Sequence, residues 1–171
     1  MTELILKSAP PLRLVKVSFN YDRVEDRICL NGASASDERL RLWLTSRLLN
    51  RLLPYLIRKQ MAFHEMQGSS GGATLTSSDK NEAGDESVIC GPEHPEALVT
   101  EVGLNFQEHH IVLTFKVSAK ESAAVFALSF HTLEKWNRGF QQCYQQAQWP
   151  QHAFQAEVVA NLQAEDSVTI H

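Results

Sequence analysis

Apolar and polar residues alternate along the first third of this chain, then recur at helical spacing, and the same succession returns in its last third. Leu12 to Phe19 places Val15, Val17 and Phe19 on one face and Lys16 and Ser18 on the other, the period-two pattern of a half-buried strand. The polar stretch Asn20 to Asp26 reads as a turn and Arg27 to Asn31 as a second strand, with Asn31-Gly32 as a turn signal behind it. Arg39 to Thr45 alternates most clearly: Leu40, Leu42 and Leu44 point one way, Arg39, Arg41 and Trp43 the other. Ahead of these, Leu4 to Lys7 is a short apolar run stopped by Pro10-Pro11, at most an edge strand because proline cannot donate to a ladder.

The period then changes. Leu48, Leu49, Leu52, Leu53, Leu56 and Ile57 form one helical stripe, with Thr45 or Ser46 placed to cap the first turn through a hydroxyl. Arg47, Arg51, Arg58 and Pro54 fall on the opposite face, where Pro54 is expected to bend the helix or divide it. The pattern fades near His64 to Met66. Gln67 to Ser87 is rich in Gly, Ser, Thr and acids and nearly free of large apolar groups, the composition of a linker that cannot offset its ordering entropy.

Beyond the linker, Val88 to Cys90 reads as an edge strand stopped by Gly91-Pro92. Ala97 to Phe106 and His110 to Ser118 read as a hairpin, and Ser122 to Phe130 as a further strand. Thr132 stands as the cap of a helix with the stripe Leu133, Trp136, Phe140, Cys143, Tyr144 and Ala147, ended at Trp149-Pro150. Ala153 to Leu162 suggests a short third helix, and the last residues, Ser167 to His171, an edge strand. Val125 and Ala127 face opposite Phe126, Leu128 and Phe130, and a strand apolar on both faces is expected to be covered on both.

At a shift of 87 residues, Phe19 falls on Phe106, Trp43 on Phe130, Thr45 on Thr132, and Asn50-Arg51 on Asn137-Arg138. The expected fold is therefore α+β: two sequence-similar halves, each three or four antiparallel strands followed by a helix, packed as one globular unit. The boundaries are residues 1–66 for the first half, 67–87 for the linker, and 88–171 for the second half with a C-terminal extension.

Composition changes this picture in two respects. The net charge of −4 divides unevenly: residues 1–66 carry 11 Lys/Arg and 7 Asp/Glu, residues 67–171 carry 5 and 13. A basic half suits an anionic partner, and it equally suits attraction between the halves or between two subunits. The three cysteines, Cys29, Cys90 and Cys143, are odd in number and widely spaced, which fits a reducing compartment rather than a disulfide framework. The most apolar segment, Leu40 to Met66, is interrupted by Arg41, Arg47, Arg51, Arg58 and Lys59, so no membrane span is expected and a cytoplasmic protein is.

Candidate chemistry is sparse. The glycines of Gly68 to Gly72 lack the lysine and the helix start that a phosphate loop uses. There is no Gly-x-Ser-x-Gly elbow, and no pair of carboxylates falls on one element, so no enzyme and no cofactor are expected. Cys90 and His94 are four residues apart on a loop, a thiolate and imidazole pair that metal chemistry could use, although zinc wants about four such ligands. The strongest constellation is basic and aromatic: Arg39, Arg41 and Trp43 on one strand face, with Lys16 and Arg27 on neighbouring strands. Rings that stack bases and guanidinium groups that meet phosphates are what single-stranded nucleic acid requires. The element order, strands then a helix and written twice, resembles the Whirly and PUR-repeat single-strand binders; the resemblance lies in element order over most of the chain and implies such a ligand.

Three functions follow, in order. The first is a non-enzymatic interaction or assembly module, a homodimer or the receptor of a protein partner. The second is a single-stranded nucleic-acid binder using the face of Arg39, Arg41 and Trp43. The third is an enzyme or metal-binding protein using Cys90 and His94.

Overall fold

The computed structural model describes residues 10–68, 87–118, 121–162 and 165–171. The apolar run Leu4 to Lys7 and the linker between Gly68 and Ser87 lie outside the described residues.

The protein is α+β: its described residues form an eight-stranded mixed sheet with three α-helices in one globular unit. In chain order the elements are β1 (Leu12–Asp22), β2 (Arg27–Ser34), β3 (Arg39–Leu44), α1 (Ser46–Gly68), β4 (Glu96–Leu98), β5 (Glu101–Phe106), β6 (His110–Ser118), β7 (Glu121–Ser129), α2 (Phe130–Ala147), α3 (Ala156–Ala160) and β8 (Ser167–Ile170), with a 3₁₀ turn at His152–Phe154 before α3. The strands lie in the order β4-β3-β2-β1-β7-β6-β5-β8. β1 meets β7 and β3 meets β4 in parallel; the remaining pairs are antiparallel.

This order forces the sheet to curl. β4 and β5 are joined by two residues, yet they hold the first and seventh places. Six strand spacings in a flat sheet would separate them by roughly 29 Å, whereas three backbone steps reach at most about 11 Å. The junction shows how the sheet closes. Val99 N–H donates to Trp43 O on β3 at 3.0 Å, and Thr100 N–H donates to Lys116 O on β6 at 2.9 Å. Successive N–H groups of an extended chain point to opposite edges, so residues 96–106 act as one kinked strand bridging β3 and β6. The run expected as a single hairpin strand, Ala97 to Phe106, is thus divided between two partners.

Alternation built the interior. On β3, Leu40, Leu42 and Leu44 are buried and Arg39, Arg41 and Trp43 half-buried, as the pattern predicts. With Ile28, Leu30, Leu104, Ile111, Leu113 and Leu128 they join one core, which the stripe Leu48, Leu49, Leu52, Leu53 and Leu56 of α1 completes. The covered-on-both-faces expectation for β7 is corrected: Ala124 and Leu128 are buried, but Val125 is half-buried and Ala127 exposed. Phe130 belongs to α2 rather than to the strand.

Several local expectations change for identifiable reasons. Asn31-Gly32 is not a turn but lies inside β2, paired with both β1 and β3. Glycine is there because a Cβ would stand 2.5 Å from a Leu14 methyl. The reversal comes later, around Asp37, whose φ is 61°. Pro54 is buried at the margin of the leucine stripe, not on the outer face, and α1 runs unbroken from Ser46 to Gly68, two residues into the expected linker. Val88 to Cys90 form no strand; the edge strand is β4. Thr45 does cap α1, accepting from Leu48 N–H at 3.3 Å. On α2 the cap is Ser129, which accepts from His131 N–H at 3.2 Å, while the expected cap, Thr132, sits inside the helix and donates to Ser129 O.

Polar pairs fix the two long helices together. Tyr144 O–H donates to Asn50 Oδ1 at 2.8 Å, and Asn137 Nδ2 donates to Gln60 Oε1 at 2.7 Å. Burial holds the Tyr144 phenol well above its ordinary range. No helix among the described residues is long and apolar enough to cross a membrane.

Candidate functional site

The basic and aromatic residues singled out by the sequence are present on one face, but the chain itself has used them. Residues 89–96 lie along the outer side of β3. Arg39 donates to Ile89 O at 2.7 Å and meets Asp37 at 3.1 Å. Arg41 donates to Cys90 O, stands 3.6 Å from a Glu96 carboxylate oxygen, and lies 5.9 Å from the centre of the Trp43 ring. Trp43 Nε1 donates to the same Glu96 oxygen at 3.3 Å. Glu96 therefore neutralises the guanidinium and fixes the indole that a nucleic acid would need. Arg27 pairs with Glu25 at 3.6 Å. Lys16 lies elsewhere, beside a cleft described below. The charge asymmetry has the same outcome: basic groups of the first half meet acidic and carbonyl groups of the second.

Cys90 and His94 also have structural work. His94 Nδ1 accepts from Gly91 N–H at 2.8 Å, and His94 N–H donates to Gly91 O, which closes a tight turn. The Cys90 thiol is buried; desolvation raises its pKa, against the pull of Arg41 and Arg39. Among the described residues no group of three or more His, Cys, Asp or Glu side chains could hold a metal ion. Cys29 and Cys143 are buried too, each with its pKa raised by desolvation.

A site that sequence reasoning missed lies at the seam between β1 and β7. The parallel ladder there has only three pairs, Leu12 with Ala124, Arg13 with Val125 and Leu14 with Phe126. At Val15 the β1–β2 register shifts by a bulge, and among the described residues β1 continues to Asp22 paired with β2 alone. Bulges bend and twist a strand; beyond this one the two strands part. Between them opens a cleft of about 670 Å³, lined by Val15 to Phe19 of β1, Phe126 of β7, Ser87, and Thr132, Lys135, Trp136, Arg138, Gly139 and Gln142 of α2. That volume is in the range of ligand-binding clefts.

Its apolar wall is a cluster of rings. Phe19 stacks on Phe140 at 4.3 Å with 7° between planes, and Trp136 stacks on Phe126 at 5.3 Å with 10° between planes. Trp136 meets Phe19 and Phe140 edge-on, at 5.6 and 5.8 Å. α2 comes this close to β1 because residue 139 is glycine: a Cβ there would stand 2.9 Å from Phe19 Cζ. Among the described residues that line it, the polar wall carries Lys16, Lys135 and Arg138. Arg138 shares its charge with Glu134, 2.7 Å away one turn earlier. Val15 is 51 % exposed at the mouth.

Comparison with known proteins adds no name to this geometry. No family model matches the chain, no curated protein matches it, and no solved structure matches it.

Proposed function

We propose that this protein is a non-enzymatic interaction module and that its contact surface is the cleft between β1 and β7. One observation carries the reading: among the described residues β1 loses its β7 neighbour after Leu14, so a strand edge faces a ring-walled cleft instead of another strand. Unpaired strand edges are templates for pairing with a further chain, and most proteins cover or charge them. The cysteines, buried and with raised pKa values, support a binding role over nucleophilic chemistry and, being unpaired, a cytoplasmic setting.

The edge is self-complementary, and self-association is its simplest use: two β1 edges side by side would satisfy each other and cover Val15. Sedimentation velocity tests this. The wild type is expected to dimerise with rising concentration, and Val15→Glu, which puts a charge at the edge, to remain monomeric. A wild type that stays monomeric at every concentration removes the homodimer.

The internal duplication enters the proposal in a reduced form. Strand-strand-strand-helix occurs in each half, and Asn50 and Asn137, at the shift of 87, each bond to the opposite long helix. The helix caps Thr45 and Ser129 instead stand 84 apart, a helical turn out of step. We read the halves as copies that have slipped by about one turn between strand and helix. Nucleic-acid binding through Arg39, Arg41 and Trp43 is not favoured, because Glu96 and the 89–96 segment occupy those groups.

A further inference from the structure

We infer that Cys29 and Cys90 form a modification site, a pair of thiols that a small-molecule disulfide such as glutathione disulfide converts into one intramolecular bond. This goes beyond the interaction reading and does not depend on it. The sheet supplies the first thiol. Asn20, Cys29 and Trp43 are lateral neighbours on β1, β2 and β3, and Ser18, Asn31 and Arg41 form the next such row. Residues two apart on a strand share a face, and along this one Cys29 Sγ donates to Asn31 Oδ1 at 3.4 Å. It is the outer face, opposite Ile28, Leu30 and Leu42 of the core. Cys29 is nevertheless only 5 % exposed, so it is covered from outside.

The cover supplies the second thiol. Ser18 on β1 donates to Val88 O at 2.9 Å and Arg41 on β3 donates to Cys90 O, so residues 88–90 cross the outer face over β2, the strand between. Burial alternates along them: Val88 and Cys90 are buried and Ile89 is 69 % exposed. The Cys90 side chain therefore turns toward the face from which Cys29 rises. Arg41 acts on both. Desolvation raises each thiol pKa and the guanidinium lowers each. Its buried Nε has no acceptor among the described residues, and a thiolate would supply one.

The chemistry balances as two exchanges. The Cys90 thiolate attacks the oxidant, forms a mixed disulfide and releases one small thiolate, which takes the proton Cys90 lost. The Cys29 thiolate then attacks the Cys90 sulfur and releases the second, which takes the Cys29 proton. Two electrons pass from the protein thiols to the oxidant, which leaves as two thiols. Cys90 leads because its segment belongs to no strand and opens locally more readily than β2. The raised pKa values make the exchange slow, as suits a latent bond rather than a catalyst. The bond fastens residues 88–90 to β2 and closes a loop of about 60 residues.

The test incubates the full chain, folded and dilute, in mixed reduced and oxidised glutathione, blocks the remaining thiols with iodoacetamide and maps the tryptic peptides, on which the three cysteines fall separately. The intact chain is expected to lose two hydrogens, and the Cys29–Cys90 peptide pair to exceed either pair with Cys143 by at least about tenfold. Cys143→Ser is expected to keep the bond, and Cys29→Ser and Cys90→Ser to lose it. The oxidised chain is expected to unfold about 5–10 °C above the reduced chain in a thermal scan, a rise that dithiothreitol reverses. Glutathione adducts without the internal bond, bonds to Cys143 in equal yield, the same mixture of pairs from the urea-unfolded chain, or an oxidised chain that unfolds no higher than the reduced one overturns the proposal.

Discussion

Gly139→Ala places two opposing effects on one methyl group and separates them. In a helix interior alanine is favoured over glycine by about 1 kcal/mol, so on an open helix face the substitution would stabilise. Here the new Cβ would stand 2.9 Å from Phe19 Cζ and 3.0 Å from Cε2, when ordinary contacts begin at 3.4 Å. The ring must retreat by about 0.5 Å, and it has little room, stacked on Phe140 and held edge-on by Trp136. Overpacking of this kind costs about 1–3 kcal/mol. The net expectation is destabilisation by about 1 kcal/mol, measured by urea unfolding at constant m-value. Phe19→Leu removes Cζ and both Cε atoms. In that background Gly139→Ala is expected to change sign and stabilise by about 0.5–1 kcal/mol, the helix propensity alone. Stabilisation of similar size in both backgrounds would refute the close packing of α2 on β1, and with it the ring wall of the cleft.

Other consequences follow from single contacts. Arg41→Ala takes its side-chain donor from the Cys90 carbonyl and leaves Glu96 held by Trp43 alone, so it is expected to lower stability by about 1–3 kcal/mol in thermal or urea unfolding while leaving oligonucleotide mobility unchanged. The folded state keeps the Tyr144 phenol protonated above its ordinary value of 10.0; above that pH the unfolded chain holds fewer protons, so stability falls as pH rises. Tyr144→Phe is expected to flatten this alkaline fall and, by losing the bond to Asn50, to cost about 1 kcal/mol at neutral pH, both read from unfolding curves across pH. Gln148 holds φ 57° at the C-cap of α2, so Gln148→Gly is expected to raise stability by about 0.5–1 kcal/mol in urea.

What could be read from the sequence was local. The alternation of β3 and the stripes of α1 and α2 depend on near neighbours, and they stand where the pattern put them. Long-range closure left no such mark. Ala97 to Phe106 alternates like one strand, and nothing in it signals that β3 will pair with one part and β6 with the other. Asn31-Gly32 looked like a turn because that pair often is one; the reason for its glycine is Leu14, on another strand. The candidate site divides in the same way. The shared face of Arg39, Arg41 and Trp43 was legible, but Glu96, more than fifty residues on, was not foreseeable as its counter-charge. The cleft depends on a parallel seam between strands over a hundred residues apart and on where that seam stops. The bulge at Val15 carries no distinctive residue, and Trp136 read simply as part of a core stripe.

Amide hydrogen exchange followed residue by residue, in dilute and in concentrated protein, addresses the β1 edge most directly. Some amides between Val15 and Phe19 are expected to exchange quickly in dilute protein and to slow at least about tenfold at high concentration, where a second copy covers the edge. Protection along Val15 to Phe19 that is already complete in dilute protein, or that does not rise with concentration, would contradict it.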